Sequence, residues 1–386
     1  MAALGETTMT EKVRGAEATV RGFEPADIPD VARLFLRAFR KDGKSSDEPT
    51  PYLRALLRQI YFDNPWYDPD IRSQVFADET GVARGFIGVT VAPLVHEGRR
   101  LRAAFAGSLT VEDPARHPLA GARLIRSFLS GPQDLSLTET ANATAMRMWQ
   151  KLGMPFETQY SLNWLRLLRP VSGGTALIKR RLPLAKSLMP LARLGDQAAR
   201  RFGGDPFRAV LDPSPRRTTF ETVSRSDFDA AVLALAPLYS MHPGWDATSL
   251  GWFSSLASVK RNFGEPRYRV ALGRDGQPLA AYAYFYRPDD FGWLLQSLTA
   301  PAQAGDLVDD MFCDADVVGC CGMRGAAQPW LTNALMSRRT LFLSRTFFLA
   351  HAKDKTLLQA IRSGDALVSG LAGESWMPLI GDTLRG

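Results

Sequence analysis

The stretch from Phe220 to Leu238 lays over Val20 to Ala38 without a gap, so that Asp227 falls on Asp27 and Phe228 on Ile28. At 386 residues the chain is too long for one ordinary core. Repeat and length together predict two related folding units. Further echoes keep the same order. Ser297-Leu298-Thr299 repeats Ser108-Leu109-Thr110 at the end of a strand-like run. A helical stretch (Gly305 to Phe312), a strand-like one (Asp316 to Cys321) and another helix (Gln328 to Arg338) then follow, as in the first half.

Periodicity gives the elements of the first half. A strand near 18–23 precedes a helix with Asp27 as N-cap, Pro29 in its first turn, and Ile28, Val31, Leu34, Phe35 and Ala38 on one face. A second helix spans 51–61. Strands follow at 72–77, 85–95 and 101–111, the last two joined by a hairpin turn at Glu97-Gly98. Next come a loop (112–118), a helix to Phe128, a strand at 135–138, a helix from Asn142 to Leu152 ended by Gly153, and a strand-like run from Glu157 to Leu168. The order β-α-α-β-β-β-α-β-α-β describes an α/β fold, a mixed, mostly antiparallel sheet with helices on both faces. The expected division is a disordered tail (1–17), a first domain (18–168), a basic linker (169–216) and a second domain (217–386).

The net charge of +7 is confined to the linker. Residues 169–208 hold nine basic side chains (Arg169, Lys179, Arg180, Arg181, Lys186, Arg193, Arg200, Arg201, Arg208) against Asp196 and Asp205, so the remainder of the chain is neutral. A local excess of this kind argues against nucleic-acid binding by either domain. It leaves room for weak contact of the Leu-rich linker, broken by Pro183 and Pro190, with a membrane surface. No apolar run approaches the roughly 20 residues of a membrane helix, and the N-terminus lacks a signal core, so a cytoplasmic protein is expected. Cys313, Cys320 and Cys321 fit neither a zinc site nor a disulfide framework, and the vicinal pair reads as buried thiols. With four histidines in the chain, no metal is expected.

Chemistry concentrates where a strand ends at Leu109-Thr110-Val111 and the chain passes through Glu112 and Arg116 into a helix beginning Pro118-Leu119-Ala120-Gly121-Ala122. A helix start of small residues exposes backbone N–H groups at the positive end of the dipole, and Arg116 adds a fixed charge. Taken alone, such a turn either holds a pyrophosphate or simply packs a strand-to-helix connection.

The segment Asn142-Ala143-Thr144-Ala145-Met146-Arg147-Met148-Trp149-Gln150-Lys151-Leu152-Gly153-Met154 supplies the context. It resembles the late helix of the GNAT (GCN5-related) N-acetyltransferases, Asn-x-x-Ala-x-x-x-Tyr-x-Lys-x-Gly-Phe. Asn142, Ala145, Lys151 and Gly153 match, while Trp149 stands for Tyr and Met154 for Phe. The upstream turn is similar to that family's pyrophosphate motif through Arg116 and Gly121, with Leu119 in place of a Gly. The resemblance spans about 18–168 and implies an acyl-CoA-dependent N-acyltransferase using acetyl-CoA or another acyl-CoA as donor. Leu109 and Val111 would bind the pantetheine arm, and the Val111 N–H would stabilise the oxyanion. Arg116, His117, Pro118, Leu119, Ala120, Gly121 and Ala122 would hold the pyrophosphate, and Asn142 and Trp149 would line the coenzyme. Glu112 or Glu139 would deprotonate the amine. Trp149 cannot supply the proton that the usual Tyr gives the leaving thiolate, so that acid would be another group such as Tyr160, or water, or the thiolate would leave unaided.

The second half shows no Arg-x-x-x-x-Gly turn after Thr299. It reads as a degenerate GNAT-like domain that has lost coenzyme binding, an arrangement similar to that of mycothiol synthases, N-myristoyltransferases and Fem-type transferases. Tyr239, His242, Trp245, Tyr282, Tyr284 and Tyr286 are its candidates for an acceptor cleft. The acceptor is expected to be an amine on a small molecule, sugar or peptide. The competing reading is a non-catalytic protein that binds acyl-CoA or another ligand.

Overall fold

A computed structural model describes residues 17–39, 48–179, 187–201, 218–326 and 328–380. The expected tail up to residue 16, Pro183, and Arg180, Arg181, Lys186 and Arg208 of the basic linker lie outside the described residues.

The strands are β1 (Thr19–Gly22), β2 (Gln74–Ala77), β3 (Ala83–His96), β4 (Arg99–Val111), β5 (Leu135–Ala141), β6 (Leu162–Leu167), β7 (Phe220–Thr222), β8 (Met241–Pro243), β9 (Glu265–Leu272), β10 (Pro278–Tyr286), β11 (Phe291–Thr299), β12 (Gly322–Ala326), β13 (Leu341–Ser344) and β14 (Phe347–Ala352). In the first half they enclose helices α1 (Ile28–Phe39), α2 (Pro51–Tyr61), α3 (Ala120–Leu129) and α4 (Ala143–Lys151). Two seven-stranded sheets result. One runs β1-β2-β3-β4-β5-β14, with β8 also paired to β3; the other runs β13-β6-β12-β11-β10-β9-β7.

The halves therefore exchange their last strands. The run after Glu157, expected to close the first sheet, instead forms a short helix (Thr158–Ser161) and then β6, which pairs with β12 of the second sheet. In return β14, from the second half, pairs with β5. Alternating burial along β6 identifies a half-buried strand but carries no information about which sheet accepts it. A shared core follows from the exchange. Phe35, Leu57 and Phe86 pack in one cluster with Phe228, Phe253 and Trp376.

Local signals are otherwise close to the structure. Glu97 and Gly98 both take positive φ (50° and 75°), the turn geometry that a tight hairpin requires. Gly153 ends α4 at φ 88°. Asp27 differs from expectation. A 3-10 turn (Pro25–Asp27) precedes α1, and the Asp27 carboxylate is buried, ion-paired to Arg21 at 2.7 Å and bonded by the Glu24 N–H at 3.0 Å, rather than capping α1. In the second half the helix after β11 runs from Ala304 to Val317, so the strand expected at Asp316–Cys321 begins only at Gly322. The final expected helix is shortened to Thr332–Met336. Cys320 and Cys321 are fully buried free thiols, as the apolar run around them indicated.

Candidate active site

The site begins with a fault in β4. The β3–β4 register steps from Phe86↔Thr110 to Gly88↔Gly107, so Ser108 and Leu109 bulge out of the ladder, and Ser108 sits at φ 56°. The parallel pairing of β4 with β5 runs only from Ala103↔Leu135 to Phe105↔Leu137. Beyond those residues the two strands splay, and backbone groups on the facing edges lose their ladder partners. A cavity of about 360 Å³ opens there, between Gly107, Ser108 and Leu109 on β4 and Thr138 to Ala141 on β5. Asn142, Ala145 and Trp149 of the α4 region form one wall, and Phe263, Trp293 and Ala326 of the second half close the opposite side.

Of the residues expected to bind the donor, Leu109, Asn142 and Trp149 line this cavity. Val111 does not line it and lies opposite Gly85 in the ladder. The next residue, Glu112, donates its N–H to Arg84 O at 2.8 Å; alternation along the strand then turns the Val111 N–H away from β3, to the β5 side. Asn142 is the N-cap of α4, its Oδ1 accepting from Thr144 N (3.0 Å) and Ala145 N (2.9 Å), which fixes its side chain at the cavity wall. Trp149 is buried edge-on against Phe128.

The turn before α3 is built by Asp113, whose Oδ1 accepts from Ala115 N and Arg116 N. Arg116, Pro118 and Leu119 are exposed, and the His117 ring leans on Phe76. Ala120 N bonds back to His117 O at 3.1 Å. The N–H groups of Gly121 and Ala122, in the first helical turn, have no acceptor among the described residues. Gly121 also serves packing. A Cβ there would come within 2.8 Å of Met148 Cε, so the small residue brings α3 and α4 together.

The two proposed bases separate sharply. Glu112 lies outside the cavity, held by Arg84 (2.7 Å) and by Arg37. Both of its oxygens are held by arginines, and neither faces the cavity lining. Glu139, in contrast, lines the cavity and is buried. Its Oε1 accepts from Gly370 N (3.0 Å) and Ser375 Oγ (2.8 Å), and its Oε2 from Glu374 N (2.6 Å) and Ser375 N (3.1 Å). Burial pushes its pKa up, and these hydrogen bonds oppose the rise.

The partner segment carries a residue that the motifs did not announce. Glu374, fully buried, accepts from Glu139 N (3.2 Å) and Thr140 Oγ1 (2.7 Å), so each glutamate receives the other's backbone N–H. Burial raises its pKa to about 8, and the nearby Glu139 charge adds to the rise. A Cβ on Gly107 would lie 3.2 Å from Glu374 Oε2, placing this carboxyl against β4 inside the splay. A glutamate buried by a turn some 230 residues downstream of β5 has no local pattern to reveal it.

Tyr160, a candidate acid, is committed elsewhere. Its hydroxyl donates to Ala366 O at 2.7 Å and accepts from Ala366 N, away from the cavity lining. Of the tyrosines expected at an acceptor cleft, Tyr239, Tyr282 and Tyr284 are buried too, and Tyr286 is half-buried. Tyr282 and Tyr284 donate to Asp310 and Asp314, each at 2.6 Å, under the helix Ala304–Val317.

The second sheet contains the same splay, filled from within. β11 and β12 pair in parallel only from Phe291↔Gly322 to Leu294↔Gly325. Past that point Gln328 Oε1 accepts from Ser297 N at 2.7 Å, while Gln296 Oε1 accepts from Leu371 N at 2.8 Å. Gly370, at φ 74°, is pressed against Leu295 O and lies 2.6 Å (as a Cβ) from Gln296 Oε1. The segment 366–379 thus threads between both splays, bonding Glu139 in one and Gln296 in the other.

No protein-family model matches the chain, and no curated protein matches it in sequence. Solved structures do resemble it. A GCN5-related N-acetyltransferase from Anabaena variabilis aligns at TM-score 0.55 and 9% identity over 87% of this chain and 73% of that one. A probable N-acyltransferase from Enterococcus faecalis gives 0.55 and 9% over 89% and 74%. A GCN5-related N-acetyltransferase from Kribbella flavida gives 0.53 and 10% over 88% and 72%. Together with the two splayed sheets, these likenesses show that the chain is built on the GCN5-related N-acetyltransferase fold, in two GNAT-like halves.

Proposed function

We propose that the protein is an acyl-CoA-dependent N-acyltransferase that moves an acetyl group from a coenzyme A thioester to an amine. The observation that carries this reading is the bulged β4–β5 splay opening beside the unpartnered N–H groups of Gly121 and Ala122. A pyrophosphate at the α3 N-terminus and a pantetheine arm in the splay would satisfy backbone groups that have no partner among the described residues. Arg116, exposed on the same turn, would add charge there. Leu109 and Val111 would accept the arm along β4, and Asn142 and Trp149 would shape the wall. The thioester supplies an activated acyl carbon; every other demand falls on this chain.

Those demands are to fix the amine and remove its proton. Ser375 Oγ lines the cavity and donates to Glu139 Oε1 at 2.8 Å. The amine proton passes to Ser375 Oγ as the serine proton passes to Glu139, leaving a neutral amine to attack. Burial raises the Glu139 pKa and makes it a stronger proton acceptor at neutral pH. Trp149 has no useful acid function, so the departing thiolate takes its proton from water or leaves as the anion.

Thiolate release from acetyl-CoA with a panel of aliphatic amines tests the reading, with calorimetry for coenzyme A stoichiometry. One equivalent per chain and amine-dependent release are expected. Binding without turnover on any amine would leave the ligand-binding reading; no binding would end the proposal.

A further inference from the structure

Water is one source of a proton for the departing thiolate; the splay holds another already in place. Glu374 is a fully buried acid that the amine-activating relay does not use. Its carboxyl bridges the gap between the splayed strands. Oε1 accepts from Glu139 N on β5 at 3.2 Å. Oε2 meets Thr140 Oγ1 at 2.7 Å and would lie 3.2 Å from a Cβ on Gly107 of β4. Because Oε1 already receives an N–H, a carboxyl proton belongs on Oε2, where it can donate to Thr140 Oγ1. Thr138 also bonds this carboxyl. Alternation along β5 turns Thr138 and Thr140 to one face and Glu139 to the other. Thr140 is half-buried, lines the cavity, and lies two residues before Asn142 at the coenzyme wall. Its hydroxyl therefore connects the buried acid with the space where a thioester would sit.

We propose that Glu374 supplies the proton taken by the departing thiolate, passing it through the Thr140 hydroxyl. The proposal rests on the acyltransferase reading. The Glu374 O–H proton moves to Thr140 Oγ1, and the proton of Thr140 moves to sulfur. The C–S bond breaks in the same step, its electron pair going to sulfur, and coenzyme A leaves as the thiol. The amine, entering as an ammonium, has by then given one proton to Glu139 through Ser375; its second is lost to water as the amide forms. The glutamate pair thus holds one proton throughout, on Glu374 before transfer and on Glu139 after it. That proton returns to Glu374 through water once the products leave. Surroundings divide the work between the two carboxyls. Glu139 accepts from the backbone N–H groups of Gly370, Glu374 and Ser375 and from Ser375 Oγ, which favours its carboxylate. Burial keeps Glu374 protonated at neutral pH, raising its pKa to about 8. Proton acceptor and proton donor lie on opposite faces of one strand, so nucleophile and leaving group do not compete for one residue.

Two donors on the full chain test the relay: acetyl-CoA and its selenium analogue, acetyl-selenocoenzyme A, each with the aliphatic amine on which the wild type is fastest. A selenol is far more acidic than a thiol, so the selenolate leaves without a proton, while the coenzyme handle is unchanged. Thr140→Val should lower the single-turnover rate with acetyl-CoA by roughly 10² and with the selenium donor by less than about threefold. Thr140→Ser, which keeps the hydroxyl, should recover most of the loss. Glu374→Gln, which keeps the shape of the neutral carboxyl, should show the same dependence on the leaving group. A loss of position alone would slow both donors alike. Equal losses with both donors, or an unchanged acetyl-CoA rate in both variants, would overturn the relay and leave the acyltransferase reading standing. Dependence on the leaving group in only one of the two variants would break the link between Glu374 and Thr140 and overturn it likewise. A wild type that turns over neither donor with any amine would sink the acyltransferase reading itself, and the relay with it.

Discussion

Replacing Glu374 by Gln should make the protein more stable than wild type at alkaline pH, by an amount that grows with pH. Glu374 has no exposure, and burial raises its carboxyl from 4.5 to about 8. A carboxyl raised on folding contributes most below its unfolded pKa. That contribution is lost as pH rises, because the unfolded chain gives up its proton while the folded one retains it. The window therefore runs from about 4.5 to about 8. At 1.36 kcal/mol per pH unit the full loss is about 5 kcal/mol. Glutamine fits the neutral form: its oxygen can accept from Glu139 N, and its amide can donate to Thr140 Oγ1, two of the groups that Glu374 contacts. Urea denaturation at a series of pH values from 4.5 to 8.5 provides the test. The stability difference between variant and wild type should rise by about 1.4 kcal/mol per pH unit across the window. Titrating groups away from the Glu139–Glu374 pair are common to both proteins and largely cancel. A difference that does not vary with pH would show that Glu374 is ionised in the folded protein, and the account of the buried carboxyl pair would fail.

Ser375→Ala should lower turnover on aliphatic amines by roughly 10² with coenzyme A affinity unchanged, and partial recovery at high pH would follow from a proton already lost; full activity at neutral pH would exclude the relay. Gly373→Ala should destabilise the protein by about 2–4 kcal/mol, since a Cβ there runs into Glu139 Oε2, and an unchanged melting temperature would contradict the packing of 370–376. Glu112→Gln should leave kcat within about twofold and cost about 1 kcal/mol of stability, as expected for part-exposed pairs with Arg84 and Arg37. Ala122→Glu should weaken coenzyme A binding at least about tenfold through charge repulsion at the α3 N-terminus; it is a cleaner probe than Gly121→Glu, which also strikes Met148.

The residues themselves determined what depends on neighbours in the chain. Apolar spacing placed α1 and α2, the Glu97-Gly98 pair fixed the β3–β4 hairpin, and Asn142 with Gly153 marked both ends of α4. Small residues after Arg116 and the late-helix pattern pointed to the splay, because both are local devices: a helix start that leaves N–H groups open and a cap that orders the next helix. Only the tertiary structure decided which sheet took β6 and which took β14, since a strand's alternation is the same beside any partner. It also decided between the two glutamates. Glu112 and Glu139 each follow a strand-like run in the sequence, yet the first meets two arginines and the second meets four donors from 370–375. The contacts of both glutamates, and the burial that raises the Glu139 pKa, come from residues far along the chain, which no short stretch of sequence encodes.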